Sequence, residues 1–245
     1  MALPLVLVHG HPFDHTMWTP QIEAFSPSRR VIAPDLRGYG TSPAVPGITL
    51  LSDFAQDIAS LLDELKVETF VLAGLSMGGQ IAMECYARLG DRVRGLVLAD
   101  TFAEPETPGG RLARNAMADR LLAEGMAGYA DEVLEKMVAP YADPAVKAHV
   151  HRMMTATSPD GAAAALRGRA ERPDYRPLLT QVTVPALVVV GEDDEYTPVS
   201  DAAAMHAALP DAELHVIARS AHLPNLERAA EFNKVLENFL AKVEA

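Results

Sequence analysis

The sequence lacks the features that mark secreted and membrane proteins. Among 245 residues there is one cysteine, Cys85, which excludes an intrachain disulfide and a metal site built from several thiolates. No run approaches the ~20 consecutive apolar residues that a transmembrane helix needs. Residues 1–10 lack the basic segment of a signal peptide and have the apolar pattern of a strand. These absences predict a cytoplasmic protein with no membrane partner.

Basic residues are also scarce. Lysine and arginine number 21 against 33 aspartates and glutamates, which gives a net charge of −12. Nucleic-acid binders need a basic face that displaces counterions from phosphates, so no nucleic-acid partner is expected. The net charge says less about small substrates, because a pocket can differ in sign from the whole surface. The hydrophobic content of 49% excludes a disordered chain.

Short apolar runs alternate with helical patterns along most of the chain. Runs that are apolar at every position are typical of parallel strands buried on both faces. The predicted strands span 3–8, 30–33, 69–73, 93–99, 186–190 and 213–218, and the clearest predicted helices span 52–65, 79–89 and 224–243. This alternation predicts an α/β fold with a mostly parallel, doubly wound sheet.

One long segment interrupts the alternation. Residues 102–179 contain no convincing strand, only helical stretches separated by prolines. This segment is too long for an ordinary connection between two strands, and its length predicts an inserted helical subdomain. Residues 1–101 and 180–245 would then form the core. Since ligands of parallel sheets bind at the carboxyl edge, the insertion is expected to be a cap, or lid, over the site.

The strongest chemical signal is the pentapeptide Gly74-Leu75-Ser76-Met77-Gly78, which has the pattern G-x-S-x-G between a predicted strand and a predicted helix. A sharp strand-to-helix turn holds the serine in a strained backbone conformation and needs neighbours without side chains. The serine hydroxyl then projects above the sheet edge, beside the positive end of the helix dipole. Ser76 is therefore the candidate nucleophile.

A serine nucleophile needs a general base and a carboxylate that orients the base. In this topology the chain order is serine, acid, histidine. His222 follows the last predicted strand and is the candidate base. The loop from Gly191 to Pro198 follows the preceding strand and contains four carboxylates. Their crowding leaves the acid open on this evidence.

These motifs together resemble the α/β-hydrolase family from end to end. The features that match are the His9-Gly10 turn, Asp35 to Ser42, the Ser76 turn, the loop Gly191…Asp194…Pro198 and the His222 loop. Residues 9–15 and 222–227 look most like small esterases and 3-oxoadipate enol-lactonases.

The resemblance implies roles for particular residues. The family pattern G-x-x-D-x-x-x-P selects Asp194 as the acid; Asp193 is the neighbour that an off-by-one reading would choose, and Asp100 occupies a second acid position known in the family. The backbone N–H groups of His11 and Met77 would form the oxyanion hole. No cofactor or metal is implied.

The substrate pocket and the sheet edge give two weaker expectations. Phe13, Trp18 and Met153 are candidate pocket walls, although ordinary core packing explains such residues equally well. Most relatives begin with an antiparallel hairpin that has no counterpart here. The strand at 30–33 is therefore predicted to lie at the sheet edge, and an exposed edge can pair with a second chain. The chain is expected to be a monomer or a homodimer through this edge.

The predicted function is hydrolysis of a small carboxylic ester or lactone by a Ser76–His222–Asp194 triad through an acyl-enzyme. Perhydrolase or lyase chemistry would use the same residues, and product analysis would distinguish it. A receptor that binds a small ligand without catalysis is the alternative from another class. Dehalogenases and epoxide hydrolases of the family carry aspartate at the position of Ser76, which disfavours them.

Overall fold

The computed structural model describes residues 2–245, in which six strands form one sheet. The strands are β1 (Leu5–Val8), β2 (Val31–Ile32), β3 (Phe70–Leu75), β4 (Val93–Ala99), β5 (Ala186–Gly191) and β6 (Ala212–Ile217). Every pair of neighbours is parallel, in the order β2-β1-β3-β4-β5-β6. The predicted parallel α/β sheet is confirmed, and each predicted strand is present with ends shifted by a few residues.

Among residues 2–245, eleven α-helices surround the sheet. They are α1 (Thr19–Phe25), α2 (Leu51–Glu64), α3 (Met77–Leu89), α4 (Pro108–Glu124), α5 (Ala127–Met137), α6 (Pro144–Ala156), α7 (Pro159–Ala170), α8 (Arg176–Leu179), α9 (Val199–Ala208), α10 (Pro224–Glu227) and α11 (Ala229–Val243). No helix within residues 2–245 combines the length and apolar character needed to cross a bilayer.

The strands are apolar at every position because both faces of the sheet are buried. In β1, Val6 and Val8 face a core that includes Phe54 of α2. Leu5 and Leu7 alternate with them and face a second core that includes Phe232 of α11. Two hydrophobic layers therefore fix the sheet between helices, as expected for parallel strands.

The predicted edge position of the second strand is also confirmed. The strand β2 has only two residues and pairs only with β1, through Leu5–Val31 and Val6–Ile32. Among the described residues, β1 pairs with β2 and β3 and with no antiparallel hairpin. Pairing of this edge with a second chain stays a prediction.

The last predicted helix differs from the structure. The pattern predicted one helix over 224–243, but Arg228 leaves helical geometry with φ −131° and ψ 45°, which separates α10 from α11. The Glu227 carboxylate accepts hydrogen bonds from the backbone N–H groups of Ala139 and Ala221. These tertiary contacts hold α10 against the loop that precedes His222, and the apolar periodicity of the segment could not reveal them.

The segment between β4 and β5 contains five helices, α4 to α8, and no strand. Within this segment, α4 and α7 pack against each other and share a small core that includes Ala118, Leu121 and Leu166. Its treatment as a separate cap subdomain with boundaries at 102 and 179 stays a prediction.

Candidate active site

The sheet topology brings the predicted site residues to one edge. The chain runs from β1 outward to β2 and returns to β3 on the other side of β1, so the connections that follow β1 and β3 leave the boundary between these two strands in opposite directions. Ligands of open parallel sheets bind at such a point, beyond the carboxyl ends of the strands. His11 follows β1, Ser76 follows β3, Asp100 follows β4, Asp194 follows β5 and His222 follows β6.

Ser76 lies in the sharp turn between β3 and α3. Its φ of 59° and ψ of −120° are unusual for a residue with a side chain. The backbone packs so closely here that a Cβ on Gly74 would lie 2.1 Å from the Gly78 carbonyl oxygen. A Cβ on Gly78 would lie 2.1 Å from the Val8 carbonyl oxygen. Both glycines are therefore required by the space around the turn.

We expect Gly74→Ala to lower the free energy of unfolding by about 3 kcal/mol or more, because the new methyl group would overlap backbone atoms that cannot move independently. Gly109→Ala is the matched control, since an added Cβ at this position of α4 meets no atom within 4 Å. It should stabilise the protein by roughly 0.5–1 kcal/mol. Urea denaturation of both variants measures the difference, and similar effects at the two positions would contradict the steric explanation.

Three side chains form one hydrogen-bonded line. The Ser76 Oγ lies 2.9 Å from His222 Nε2, and His222 Nδ1 lies 2.8 Å from Asp194 Oδ2. All three residues are buried. With Nδ1 donating to the carboxylate, Nε2 is free to accept the serine proton.

The Asp194 carboxylate accepts several hydrogen bonds from its own loop. Its Oδ1 accepts hydrogen bonds from the N–H groups of Tyr196 (2.8 Å) and Thr197 (3.1 Å), and its Oδ2 accepts one from the Thr197 hydroxyl. Burial raises the pKa of Asp194, but the His222 imidazole and the hydrogen bonds from His222 and Thr197 outweigh it and hold this pKa below its usual value. The carboxylate is therefore charged at neutral pH.

The two other candidate acids have different surroundings. Asp193 is exposed and accepts a hydrogen bond from the Tyr141 hydroxyl. Asp100 is buried; its Oδ1 accepts a hydrogen bond from the Gly191 N–H at 2.9 Å, and its Oδ2 has no partner among residues 2–245. Burial and the charge of Asp194 raise the pKa of Asp100 well above its usual value. These surroundings favour the protonated form of Asp100, and the hydrogen bond with His222 favours Asp194 as the acid.

The predicted oxyanion-hole donors lie beside the serine. Met77 is the first residue of α3, and His11 lies in the turn after β1. Within residues 2–245, neither backbone N–H donates a hydrogen bond to the protein. Free N–H groups at a helix N-terminus suit a developing negative charge.

The turn that positions His11 depends on His9. The Leu36 N–H donates to His9 Nε2 at 3.0 Å, which requires the hydrogen to be on Nδ1, where it bonds the Gly10 carbonyl at 2.9 Å. Burial lowers the pKa of His9 from 6.5 to about 4. His9 is thus a neutral structural residue that links the loops after β1 and β2.

This histidine should make the protein less stable in mild acid. Below pH 6.5, His9 is protonated in the unfolded chain, whereas in the folded protein it stays neutral down to about pH 4. The free energy of unfolding therefore decreases as the pH is lowered through this range. Between pH 7.5 and pH 5 we expect a loss of about 2 kcal/mol from His9. Urea denaturation at both pH values should show a smaller loss in His9→Gln. His215→Gln, at a half-buried position of β6, is the control and should keep the full loss.

A cavity of about 240 Å³ opens onto Ser76 and His222. Its lining includes residues that the sequence analysis missed. Tyr196 and Thr197 could have been found from their position directly after Asp194, whereas nothing in the sequence marked the residues from the helical segment. Those residues are Phe102, Arg114, Tyr129, Met137, Leu166 and Arg169.

The three predicted pocket walls do not line this cavity. Phe13, Trp18 and Met153 are almost completely buried in the hydrophobic core that α11 shares with the sheet. Trp18 packs against Phe232, with ring centroids 6.1 Å apart. These large apolar side chains pack in the core, where burial stabilises them, and not in the cavity wall.

In the described part of the chain, two clusters have the composition of metal ligands. In the first, Asp100, Asp194 and His222, the His222 Nδ1 is already bonded to Asp194. In the second, Asp35 accepts hydrogen bonds from His15 and from the Thr41 N–H, and Asp14 accepts one from the Thr16 N–H. Hydrogen bonds within the site and its loops therefore account for the close approach of these side chains in both clusters.

The comparisons with known proteins agree with this architecture. The model of a family described as the alpha/beta hydrolase family matches residues 5–235. The chain therefore belongs to the alpha/beta hydrolase family, and the resemblance predicted from the motifs is confirmed.

Relatives of the chain in this family include enol-lactonases and an esterase. The chain is 27% identical to 3-oxoadipate enol-lactonase 1 of Acinetobacter baylyi over 234 residues, which covers 94% of this chain and 86% of the relative. The structure of a thermophilic esterase from Thermogutta terrifontis, with malate bound, matches with a TM-score of 0.98 and 36% identity, covering 100% of this chain and 92% of the esterase. The structure of the enol-lactonase from Burkholderia xenovorans matches with a TM-score of 0.90 and 30% identity. The match covers 98% of this chain and 92% of the enol-lactonase.

Proposed function

We propose that the protein is a serine hydrolase that cleaves a small carboxylic ester or lactone through an acyl-enzyme. The observation that carries this proposal is the hydrogen-bonded line from the Ser76 hydroxyl through His222 to Asp194, with distances of 2.9 and 2.8 Å. The relatives named as an esterase and as enol-lactonases support the substrate class.

Each residue has one task in this mechanism. His222 accepts the Ser76 proton as Oγ attacks the ester carbonyl carbon, and it then returns the proton to the leaving alkoxide. The charged Asp194 fixes the tautomer of His222 and stabilises the imidazolium that forms. The N–H groups of His11 and Met77 bind the carbonyl oxygen as it becomes negative. Water, activated by His222, hydrolyses the acyl-enzyme by the same route.

The helical segment completes the site. We propose that residues 102–179 form a cap over the core of residues 1–101 and 180–245, because most side chains lining the cavity come from this segment. Its closure would exclude water from the reacting carbonyl. A cytoplasmic location and a monomeric or homodimeric state stay predictions from the sequence.

The test is covalent labelling with a fluorophosphonate probe, combined with hydrolysis of p-nitrophenyl butyrate by the wild-type protein. We expect the probe to modify Ser76, located by mass spectrometry of the digested protein, and to stop hydrolysis in proportion to labelling. An unlabelled protein without esterase activity would favour the receptor alternative. Labelling without release of the free acid from an ester would favour perhydrolase or lyase chemistry.

A further inference from the structure

The cavity contains a buried arginine that has no counter-ion. Arg169, in α7, is 8% exposed and lines the cavity together with Ser76. Its Nε donates to the neutral side chain of Gln80 at 3.2 Å. Within residues 2–245, no carboxylate lies within salt-bridge distance of Arg169. Its terminal nitrogens are therefore available to a ligand.

The neighbouring charges increase this excess of positive charge. Arg114 also lines the cavity, and Arg172 lies nearby. Both contact one carboxylate, Glu106, which Arg172 reaches at 3.4 Å. Arg114 and Arg172 thus pair with the same carboxylate, and Arg169 has none of its own among the described residues. Burial, together with the positive charges of Arg114 and Arg172, lowers the pKa of Arg169.

Arginine does not deprotonate in proteins, so this site carries its charge at neutral pH. An ionised group that is taken out of water without a partner destabilises the folded protein. Folded proteins keep such groups at functional sites, where a ligand supplies the opposite charge. The cavity is therefore locally cationic in a chain whose net charge is −12.

A second polar group in the cavity lacks a partner. His11 is 4% exposed and lines the cavity; its Nδ1 lies 2.8 Å from the Tyr39 hydroxyl, whereas its Nε2 has no partner among the described residues. Burial, Arg169 and Arg114 keep His11 neutral by lowering its pKa. When Tyr39 donates to Nδ1, the Nε2 of His11 carries a hydrogen that has no acceptor among the described residues.

We propose that the substrate is an ester or lactone that also carries a carboxylate, and that this carboxylate binds Arg169 while Ser76 attacks the ester carbonyl. The inference rests on the proposed function, of which it names the substrate class. A guanidinium presents paired donors that match the two oxygens of a carboxylate. The cavity of about 240 Å³ limits the substrate to a short chain between the two groups.

Two pairs of isosteric substrates test the proposal. One pair is monomethyl glutarate and methyl glutaramate, with the charge on the acyl side; the other is 3-acetoxypropionate and 3-acetoxypropionamide, with the charge on the alcohol side. Each pair differs only by carboxylate against neutral amide. We expect kcat/KM of the wild-type protein, measured by pH-stat titration, to favour the charged member of at least one pair by about 10–100-fold.

Substitutions then assign the preference to Arg169. Arg169→Met should reduce the charged-to-neutral ratio of kcat/KM by about the same 10–100-fold, and Arg169→Lys should retain part of it. Arg176→Met is the matched control because Arg176 is exposed on α8 and pairs with Asp174. It should leave the ratio unchanged. A preference that survives Arg169→Met would overturn the assignment.

Binding of unreactive glutarate supplies a readout that does not depend on catalysis. Glutarate should raise the Tm of the wild-type protein and of Ser76→Ala, whereas neutral glutaramide should not, and Arg169→Met should abolish the shift. Equal kcat/KM within both pairs and no shift with glutarate would overturn this inference. Hydrolysis of p-nitrophenyl butyrate by the same sample would then leave the proposed function standing.

Discussion

Replacing Ser76 by alanine is expected to lower kcat for p-nitrophenyl butyrate by about 10⁶-fold, with little change in KM. The alanine variant has no oxygen that can attack the carbonyl, so His222 and Asp194 cannot contribute through an acyl-enzyme. What remains is stabilisation of a direct attack by water through the N–H groups of His11 and Met77. Steady-state rates, corrected for spontaneous hydrolysis, measure the loss.

The matched control is Ser60→Ala, since Ser60 is exposed on α2 and its hydroxyl accepts a hydrogen bond from the Gln56 side chain. We expect wild-type rates from this variant. Thermal unfolding should show that Ser76→Ala is folded, because the substitution removes one hydroxyl and leaves Gly74 and Gly78 in place. A folded Ser76→Ala variant with nearly unchanged hydrolysis would remove Ser76 from the mechanism.

The local features of the fold were readable from the sequence. Strands such as β3 and β5 are buried on both faces, so their composition identifies them without knowledge of their neighbours. The turn at Ser76 was equally clear, because its constraints act between residues two positions apart. The break at Arg228 was not, since it depends on Glu227 bonding to distant segments.

The acid illustrates an intermediate case. Asp100 and Asp194 follow adjacent strands, β4 and β5, so both reach the same sheet edge near His222. The family pattern selected Asp194, but residue type and spacing alone left the choice open. The distance from His222 Nδ1 and the opposite pKa directions of the two carboxyls separate them, and these follow from three-dimensional contacts.

The pocket was the least predictable part. Phe13, Trp18 and Met153 are the residue types that line pockets, but the same types fill cores, and the packing of helices decides between the two. Arg169 is ordinary in sequence, one of several arginines in a helical stretch. Only the packing of α7 over the sheet edge places it in the cavity, where its charge opposes the sign of the chain as a whole.

Replacing Asp194 by asparagine should lower kcat by about 10⁴-fold, the second largest effect that we expect. An amide at this position can donate to His222 Nδ1, which would place the imidazole hydrogen on Nε2, where it could no longer accept the Ser76 proton. The amide also cannot stabilise the imidazolium. Because Tyr196 and Thr197 would still bond the remaining oxygen, the loop should keep its structure.

Asp100→Asn is the decisive comparison, since it makes the same chemical change on the neighbouring strand. An asparagine is nearly isosteric with a protonated carboxyl group, the form that burial and the charge of Asp194 favour at Asp100, and its oxygen can still accept the hydrogen bond from the Gly191 N–H. We therefore expect a loss of less than about 10-fold, because no charge is removed from the site. Rates for both variants on p-nitrophenyl butyrate measure the difference. If Asp100→Asn were the more damaging change, the charge that supports His222 would reside on Asp100, and the hydrogen bond from His222 to Asp194 would only position the ring.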